Sequence, residues 1–393
     1  MQQRRFMAIV LCLGLAVLEA HAADKEEFVY IGTRGAGSRP PQATSEQAMG
    51  PQQGIFAARL DPRTGQLSPL GLTVELERAT WLVTHPSLPV LYSVAQSPGG
   101  MAANSTIYSF AIDKASGTLR QMNAVDAGGR DATHLDLDPK SKTLFSANFG
   151  SGNVTALPLN PDGTLGPVES EQKDYGTGPH PRQKNPIAHG VAVDPTHRWV
   201  LVTDFGADRV FVYHWDGKTK QLTPAATPFA TLPPGSGPRH LLFQPNGRIL
   251  YVNTELTGEL RSYHWDPGNG SLQLAQALSP FPADYSGEKS GAEIALAHDG
   301  RHLYLSLRGD QDCVIAYSTD KHSGTLTEIQ RIASQGKGPW SFGIDPTGHW
   351  LLVTNITSNS VNVLGIDAAT GKLTATSESL AVANPVAIAF YPR

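Results

Sequence analysis

The sequence has few of the residues that disulfide scaffolds and nucleic-acid-binding surfaces require. Two cysteines, Cys12 and Cys313, occur among its 393 residues, which excludes a disulfide framework. Charged residues make up 17% of the chain and the formal net charge is -4, so we expect no nucleic-acid partner. The sequence also lacks Gly-x-Ser-x-Gly, His-Glu-x-x-His, Cys-x-x-Cys and phosphate-loop patterns. We therefore predict neither a bound metal nor a cofactor.

Residues 1–22 have the three parts of a secretory signal peptide. A basic pair at positions 4 and 5 precedes an apolar stretch over residues 6–17, and a small-x-small sequence ends at Ala22. An uncleaved membrane anchor needs about 20 apolar residues, and Glu19 interrupts the stretch too early. We predict cleavage after Ala22, a folded domain of residues 23–393, and export of the protein without membrane insertion.

A unit of about 50 residues repeats along the rest of the chain. Each copy contains short runs rich in Val, Ile, Leu, Thr and Tyr, separated by Asp-Pro, Asn-Gly or Ser-Gly turns, and such runs are typical of β-strands. Six copies align, with steps of 48 to 56 residues, on Pro86, Pro139, Pro195, Pro245, His298 and Pro346. This spacing predicts about four short strands per unit and leaves little room for helices.

The two ends of the chain together supply a seventh unit. Residues 28–34 and 54–67 resemble the second and third runs of a copy, and the missing first run lies at residues 384–392. A sheet assembled from both ends closes a ring and removes free strand edges. We therefore predict an all-β fold, a seven-bladed β-propeller closed by a blade built from both termini. A β-sandwich or a solenoid would not explain why the leftover runs are complementary.

Comparison of equivalent positions reveals ionisable exceptions. The column six residues before the aligned positions contains Thr80, Thr133, His189, Arg239, Ala292 and Trp340. The column ten residues after them contains Gln96, Phe149, Phe205, Glu255, Arg308 and Ile356. The first column precedes the predicted innermost strand and the second ends the next strand, so both lie at one edge of each antiparallel blade. We expect His189, Arg239, Glu255 and Arg308 to gather at one mouth of the central channel.

These four side chains suit a pocket for an oxygen-rich small molecule. Two guanidiniums are permanently charged donors, and an imidazole can transfer protons. An ion-pair network that only lines the channel would use the same residue types. His134 and His240, each one residue beyond the first column, are further candidate ligand contacts.

Residues 235–256, together with residues 188–213 upstream, resemble the seven-bladed lactonase family of bacterial 6-phosphogluconolactonases and fungal carboxymuconate cyclases. The most specific part is the pair Gly-Pro-Arg-His and Asn-x-Glu-Leu, at 237–240 and 253–256. The resemblance covers nearly the whole predicted domain, and it implies that the catalytic residues are Glu255, His189, Arg239 and Arg308. We assign as candidate substrate contacts His240, Phe205, Asn253, Trp340 and His134.

The export signal departs from the cytosolic phosphogluconolactonases of that family. A phosphorylated sugar lactone is not expected outside the inner membrane, so we predict hydrolysis of a free aldonolactone in the bacterial periplasm, with D-glucono-1,5-lactone as the leading substrate. Glu255 or His189 would deprotonate the attacking water, and Arg239 and Arg308 would stabilise the oxyanion.

Alternatives remain open from the sequence alone. They are a 6-phosphogluconolactonase, a carboxymuconate-type cycloisomerase and a non-catalytic binding propeller. Insertions at 34–53 and 174–186 are expected to overhang the same mouth, either as a lid or as plain surface loops. The sequence leaves the oligomeric state, and any bound structural ion, undetermined.

Overall fold

The structure is a computed structural model that describes residues 26–35, 53–97, 99–100 and 102–392. The predicted signal peptide and residues 36–52 of the first insertion lie outside these ranges. The described residues form β-strands and turns without a helix. Among them, no helix is long and apolar enough to cross a membrane.

Twenty-eight strands form seven four-stranded sheets, the blades, whose strands run in the following order from the innermost outward. Blade 1 contains β28 (Pro385–Pro392), β1 (Glu27–Thr33), β2 (Gly54–Leu60) and β3 (Leu67–Glu75). Blade 2 contains β4 (Trp81–Thr84), β5 (Val90–Ala95), β6 (Thr106–Ile112) and β7 (Leu119–Asp126). Blade 3 contains β8 (Ala132–Asp138), β9 (Thr143–Asn148), β10 (Asn153–Pro158) and β11 (Ser170–Lys173). Blade 4 contains β12 (Ala188–Val193), β13 (Trp199–Asp204), β14 (Arg209–Asp216) and β15 (Gln221–Thr231). Blade 5 contains β16 (Pro238–Phe243), β17 (Ile249–Thr254), β18 (Leu260–Asp266) and β19 (Ser271–Leu278). Blade 6 contains β20 (Gly291–Leu296), β21 (His302–Leu307), β22 (Cys313–Thr319) and β23 (Leu326–Ala333). Blade 7 contains β24 (Pro339–Ile344), β25 (Trp350–Asn355), β26 (Ser360–Ile366) and β27 (Leu373–Ala381).

Blade 1 confirms the predicted ring closure. Strand β28, from the C-terminal end, pairs antiparallel with β1, from the N-terminal end, and lies on the channel side of that blade. Neighbouring blades contact each other around the whole circle, including blade 7 with blade 1. The fold is therefore the seven-bladed β-propeller that the repeats predict.

The hydrophobic core lies between the blades. Seven buried clusters each join two neighbouring blades, and one of them joins blades 7 and 1. Second strands such as β13 and β17 are buried along their whole length, because both of their faces are covered. Their sequences are continuous apolar runs for this reason, whereas an outer strand such as β3 has mostly exposed or half-buried residues.

The Asp-Pro turns of the repeat satisfy backbone donors. The carboxylate of Asp194 accepts hydrogen bonds from the backbone amides of Thr196, Arg198 and Trp199, and Asp345 accepts one from Trp350. An aspartate in this position therefore fixes the hairpin between the first and second strands of a blade.

A β-bulge near the start of the innermost strand corrects one detail of the sequence prediction. In β12 the pairing passes from Ala188 to Gly190, so His189 is the extra residue. In β16 two residues, Arg239 and His240, oppose a single residue of β17. The first column therefore lies inside the innermost strands rather than before them, except in blade 2. Strand spacing in the sequence does not reveal a bulge, which redirects side chains towards the channel.

Candidate active site

One mouth of the channel opens into a cavity of about 750 Å³, including the space at its opening. Its wall comes mainly from the two columns and from the residue after each first-column position, and blades 1 to 7 all surround it. The lining residues are Arg34, Arg78, Thr80, Trp81, Asp131, Thr133, Phe149, Arg182, His189, Arg239, His240, Glu255, Glu293, Trp340, Ser341 and Val386.

Glu255, which follows β17, is bound by three guanidinium groups. Its Oε1 lies 2.7 Å from Nη1 of Arg182. Its Oε2 lies 3.2 Å from Nε of Arg239 and 3.3 Å from Nη2 of Arg308. His189 Nε2 is 3.9 Å from the same Oε2, beyond hydrogen-bond distance. The structure thus brings together the four predicted catalytic residues and adds a third arginine to them.

The guanidiniums determine the charge state of Glu255. Burial alone raises the pKa of this carboxyl, but Arg308, Arg239 and Arg182 outweigh burial and hold its pKa well below the usual range. Glu255 is therefore ionised at neutral pH and is a weak base, because both of its oxygens already accept charge-assisted hydrogen bonds.

Two glycines position this cluster. Gly237 has a φ of 61°, and a Cβ there would lie 2.8 Å from the Phe205 ring. The glycine of the Gly-Pro-Arg-His motif is therefore required both by the backbone conformation and by the space available. A Cβ on Gly190 would lie 2.7 Å from the carbonyl oxygen of Arg239. Glycine at position 190 therefore lets blades 4 and 5 approach closely, which brings His189 near Arg239.

A second buried carboxylate, Glu293, lies on the neighbouring blade 6. Its Oε1 lies 2.7 Å from Nδ1 of His240 and accepts a 3.1 Å hydrogen bond from the backbone amide of Ile294. Its Oε2 accepts a 3.0 Å hydrogen bond from the hydroxyl of Ser341. Both oxygens are therefore held in fixed positions, one of them against an imidazole.

Burial dominates at this second carboxylate. It raises the pKa of Glu293 to about 7, although Arg239, His134 and the Ser341 hydroxyl oppose the rise. Burial, followed by the nearby Arg239, lowers the pKa values of His189 and His240 well below the ordinary histidine value. His189 and His240 are therefore neutral at pH 7, whereas Glu293 titrates near neutrality.

The remaining predicted contacts occupy different places. The Trp340 ring lies in the cavity wall with guanidinium carbons of Arg308 at 4.6 Å and Arg34 at 5.1 Å from its centroid. His134 is buried, with its ring centroid 4.1 Å from that of Trp81.

Phe205 and Asn253 lie behind the wall, fully buried. Phe205 supports the guanidinium of Arg182 at 4.5 Å. The Asn253 side chain accepts a hydrogen bond from the His240 amide at 2.9 Å and donates one to the Ala292 carbonyl at 2.8 Å. The structure thus places Phe205 under a cavity residue and Asn253 between the bulges of blades 5 and 6.

Arg34, Glu293 and Arg182 are among the lining residues that the sequence comparison missed. Arg34 follows β1 and is the blade 1 member of the second column, which the six aligned copies did not include. Glu293 occupies the same position as His134 and His240, one residue beyond the first column, so that comparison could have found it. Arg182 belongs to an insertion and has no equivalent in the repeat.

The 174–186 insertion overhangs this mouth, as predicted. It connects β11 to β12, and the buried Gln183 side chain donates 2.7 Å hydrogen bonds to the Phe205 carbonyl and to Asp208. Because Gln183 fixes the segment, the neighbouring Arg182 reaches Glu255 although about half of its side chain is exposed.

The described residues do not include a group of three or more His, Cys, Asp or Glu side chains arranged to hold a metal ion. The arrangement instead offers fixed cationic donors, an ionised carboxylate and a pair that can exchange protons. These are the groups needed to polarise a carbonyl and transfer a proton during hydrolysis.

Comparisons with known proteins identify the family of the chain. The family described as lactonase, 7-bladed β-propeller matches residues 23–390. The 6-phosphogluconolactonase of Bacillus subtilis is 31% identical over 343 residues, which are 87% of this chain and 95% of the relative. The structure of the Pseudomonas aeruginosa periplasmic gluconolactonase superposes with a TM-score of 0.83 at 29% identity, covering 93% of this chain and 99% of that one.

The fold and the site define a propeller hydrolase whose cavity is formed by the whole ring. The chain belongs to the lactonase family of seven-bladed β-propellers. It is accordingly a lactone-hydrolysing enzyme, and the alternative of a non-catalytic propeller is excluded.

Proposed function

We propose that this lactonase hydrolyses D-glucono-1,5-lactone to gluconate in the periplasm. The observation that carries the proposal is the cluster of Arg239, Arg308 and Arg182 around Glu255 at the mouth of the cavity. A sugar lactone presents one electrophilic carbonyl and several hydroxyl groups, and this cluster offers oriented charged donors for both.

Arg239 and Arg308 are the proposed oxyanion donors. They share one oxygen of Glu255, which keeps their guanidiniums together without neutralising both. In the described part of the chain, Nε of Arg308 and Nδ1 of His189 are buried without a hydrogen-bond partner. Because buried polar atoms are rarely left unpaired, these two atoms favour a site that a polar ligand completes.

The two predicted bases differ in suitability. Glu255 is ionised but weakly basic, since three guanidiniums bind it, and we assign it to holding the arginines in place. His189 is neutral and can accept a proton, but its nearest carboxylate oxygen is 3.9 Å away, so no hydrogen bond to a carboxylate orients its ring.

Two observations support a free sugar lactone as the substrate. The pattern of residues 1–22 is that of an export signal, and the gluconolactonase of Pseudomonas aeruginosa, a structural neighbour, is described as periplasmic. A phosphorylated sugar lactone would be produced inside the cell, apart from an exported enzyme.

A second candidate substrate is 6-phosphogluconolactone. Arg34 and Arg78 line the cavity from blades 1 and 2, and guanidiniums bind phosphate well. Arg78, however, already binds Asp131 at 2.8 Å, which reduces the positive charge on that side. Two relatives of this chain are named 6-phosphogluconolactonase. One is the protein from Bacillus subtilis, and the other, from Pectobacterium carotovorum, is 31% identical over 276 residues.

A pH-stat assay distinguishes the two substrates. The protein is supplied with glucono-1,5-lactone or its 6-phosphate, and the uncatalysed hydrolysis is subtracted. We expect the larger kcat/KM on the unphosphorylated lactone; a preference for the phosphate by about tenfold or more, the factor that corresponds to about 1.4 kcal/mol, would reverse the assignment.

A matched pair of variants ties the activity to the site. Arg308→Met should lose ~10²-fold or more in kcat if this guanidinium contacts the oxyanion. Arg301→Met, in the exposed turn at the other end of β21, removes the same charge from the same blade and should match the wild type.

A further inference from the structure

Three neighbouring histidines, His134, His189 and His240, differ in how their rings are held. His240 Nδ1 lies 2.7 Å from Glu293. Among the described residues, His134 Nδ1 accepts a hydrogen bond only from the Val191 amide, at 3.4 Å, and the carboxylate oxygen nearest to His189 is 3.9 Å away. A histidine that transfers protons in catalysis is usually oriented by a third group through its other nitrogen. By this criterion His240 is the best placed of the three.

We propose that His240 and Glu293 together form the proton acceptor of the lactonase, with His240 Nε2 facing the attacking water and Glu293 receiving the proton through Nδ1. This inference rests on the proposed function. It replaces Glu255 and His189 as the base and gives Glu255 the separate task of holding the arginines.

The geometry leaves Nε2 of His240 available. Arg239 Nη1 lies 3.1 Å from Nε2 and 3.2 Å from Nδ1. If Nη1 lay in the plane of the imidazole at these two distances, it would overlap ring carbon atoms. The guanidinium of Arg239 therefore lies over the face of the ring. The in-plane position of Nε2 is therefore not taken by Arg239, and the His240 ring lines the cavity.

The carboxylate is also fixed for this task. The Ser341 hydroxyl and the Ile294 amide bind Glu293 from two sides, which leaves Oε1 directed at Nδ1. A cation over the imidazole disfavours a charged ring, and burial favours a protonated Glu293. The proton therefore comes to rest on the carboxylate while the histidine exchanges one tautomer for the other.

The reaction balances with water alone. The water oxygen bonds to the lactone carbonyl carbon, its proton passes to Nε2, and the Nδ1 proton passes to Glu293. The carbonyl electron pair moves to the oxygen, where Arg239 stabilises it. Collapse then breaks the bond from the carbonyl carbon to the ring oxygen. The proton returns through His240 to that oxygen, and a hydroxyl and a carboxylic acid result.

The pair predicts a pH dependence with a definite direction. Below the pKa of Glu293, about 7, the carboxyl is already protonated and cannot receive the proton, so kcat should rise with pH through this value. The charged and titratable groups packed around the pair are Arg239, Glu255, Arg308, His134 and His189.

The test measures kcat and KM for glucono-1,5-lactone across the acidic and basic sides of neutrality. Glu293→Gln should lower kcat by ~10²–10⁴-fold and leave KM nearly unchanged. It should also abolish the acidic limb of the pH profile, which is the rise of kcat with pH through the pKa of Glu293. Glu328→Gln, on the exposed outer strand of the same blade, is the matched control and should behave as wild type. A Glu293→Gln protein with the wild-type kcat and limb would overturn the inference.

Ser341→Ala provides a second test that does not remove a charge. The Ser341 hydroxyl lowers the pKa of Glu293, so its loss should move the acidic limb to higher pH. An unmoved limb in a folded Ser341→Ala protein contradicts the proposal, whatever the fate of Glu293→Gln. A wild-type protein without activity on any sugar lactone would instead refute the proposed function itself.

Discussion

Glu255 and Glu293 are two buried carboxylates in one cavity, on neighbouring blades, and their environments push them in opposite directions. Three guanidiniums hold the pKa of Glu255 well below its usual range despite burial. At Glu293 burial prevails over Arg239, His134 and Ser341, and its pKa rises to about 7. When two acids in one site are separated in this way, one remains charged while the other exchanges protons.

The difference between the two pKa values explains why a lactonase benefits from both carboxylates. A permanently ionised Glu255 keeps Arg239 and Arg308 from repelling each other and aims them at one region of the cavity. A carboxylate that titrates near neutral pH can accept a proton and release it within one turnover. Neither residue could perform the other's task where it stands.

Arg239 is the cation that acts on both carboxylates, and its removal should disturb both of them. Arg239→Met should lower kcat/KM by ~10²–10³-fold, because an oxyanion donor is lost. It should also raise the pKa of Glu293, since Arg239 is the strongest influence that lowers it, and so move the acidic limb upward. The measurement is a pH profile of kcat/KM, with circular dichroism to show that the variant is folded. An unchanged rate would mean that the guanidinium does not contact the reacting carbonyl.

Removing the charge of Glu255 should come next. Glu255→Gln leaves three guanidiniums without their shared anion, and a displacement of about 1 Å can cost about 10²-fold in rate. The acidic limb should nevertheless stay near neutral pH, because Glu293 remains intact. If the limb disappears in Glu255→Gln and persists in Glu293→Gln, the two carboxylates have exchanged the roles that we propose for them.

The pH dependence of the free energy of unfolding should reveal the raised pKa of Glu293 without any substrate. The folded-state pKa of Glu293 is raised from 4.5 to about 7, so its contribution is fully present below pH 4.5 and is lost as the pH rises through about 7. The free energy of unfolding of wild type minus that of Glu293→Gln should fall by up to about 3 kcal/mol across this range.

Urea unfolding on the two sides of this range measures the difference. The subtraction cancels the contributions of other raised carboxyls, such as Glu27 and Asp136. Glu328→Gln, compared with wild type in the same way, should show no such slope, and a flat difference for Glu293→Gln would place its pKa near the ordinary value.

Much of the ring could be predicted because the sequence repeats it. Equivalent positions indicated where each blade begins, and the complementary runs at residues 28–34 and 384–392 predicted the closing blade. The bulges were not predictable, because inner strands such as β12 and β16 are buried over most of their length and lack an alternation of residue types that a one-residue insertion would interrupt. They decide whether a residue such as His189 faces the channel.

The candidate site was predictable to the extent that it belongs to the repeat. His189, Arg239, Glu255 and Arg308 stood out against small or apolar equivalents. The opposite pKa shifts of Glu255 and Glu293 were beyond a sequence argument, because they depend on how many cations reach each carboxylate in space. One of those cations, Arg182, comes from a segment for which the repeat has no counterpart.

Arg182 therefore offers the smallest and most selective change. Its guanidinium reaches Glu255 from outside the ring and rests on Phe205, while about half of the side chain is exposed, so solvent weakens its influence. Arg182→Met should raise KM by ~3–10-fold with a smaller change in kcat, in line with the modest strength of exposed ion pairs and cation–π contacts. Lys184→Met, two residues along the same insertion and exposed, should leave both constants at wild-type values. Steady-state kinetics on glucono-1,5-lactone separates the outcomes. A fall in kcat as large as that of Glu255→Gln would show that Arg182 acts on the transition state, and that the insertion completes the catalytic cluster rather than covering it.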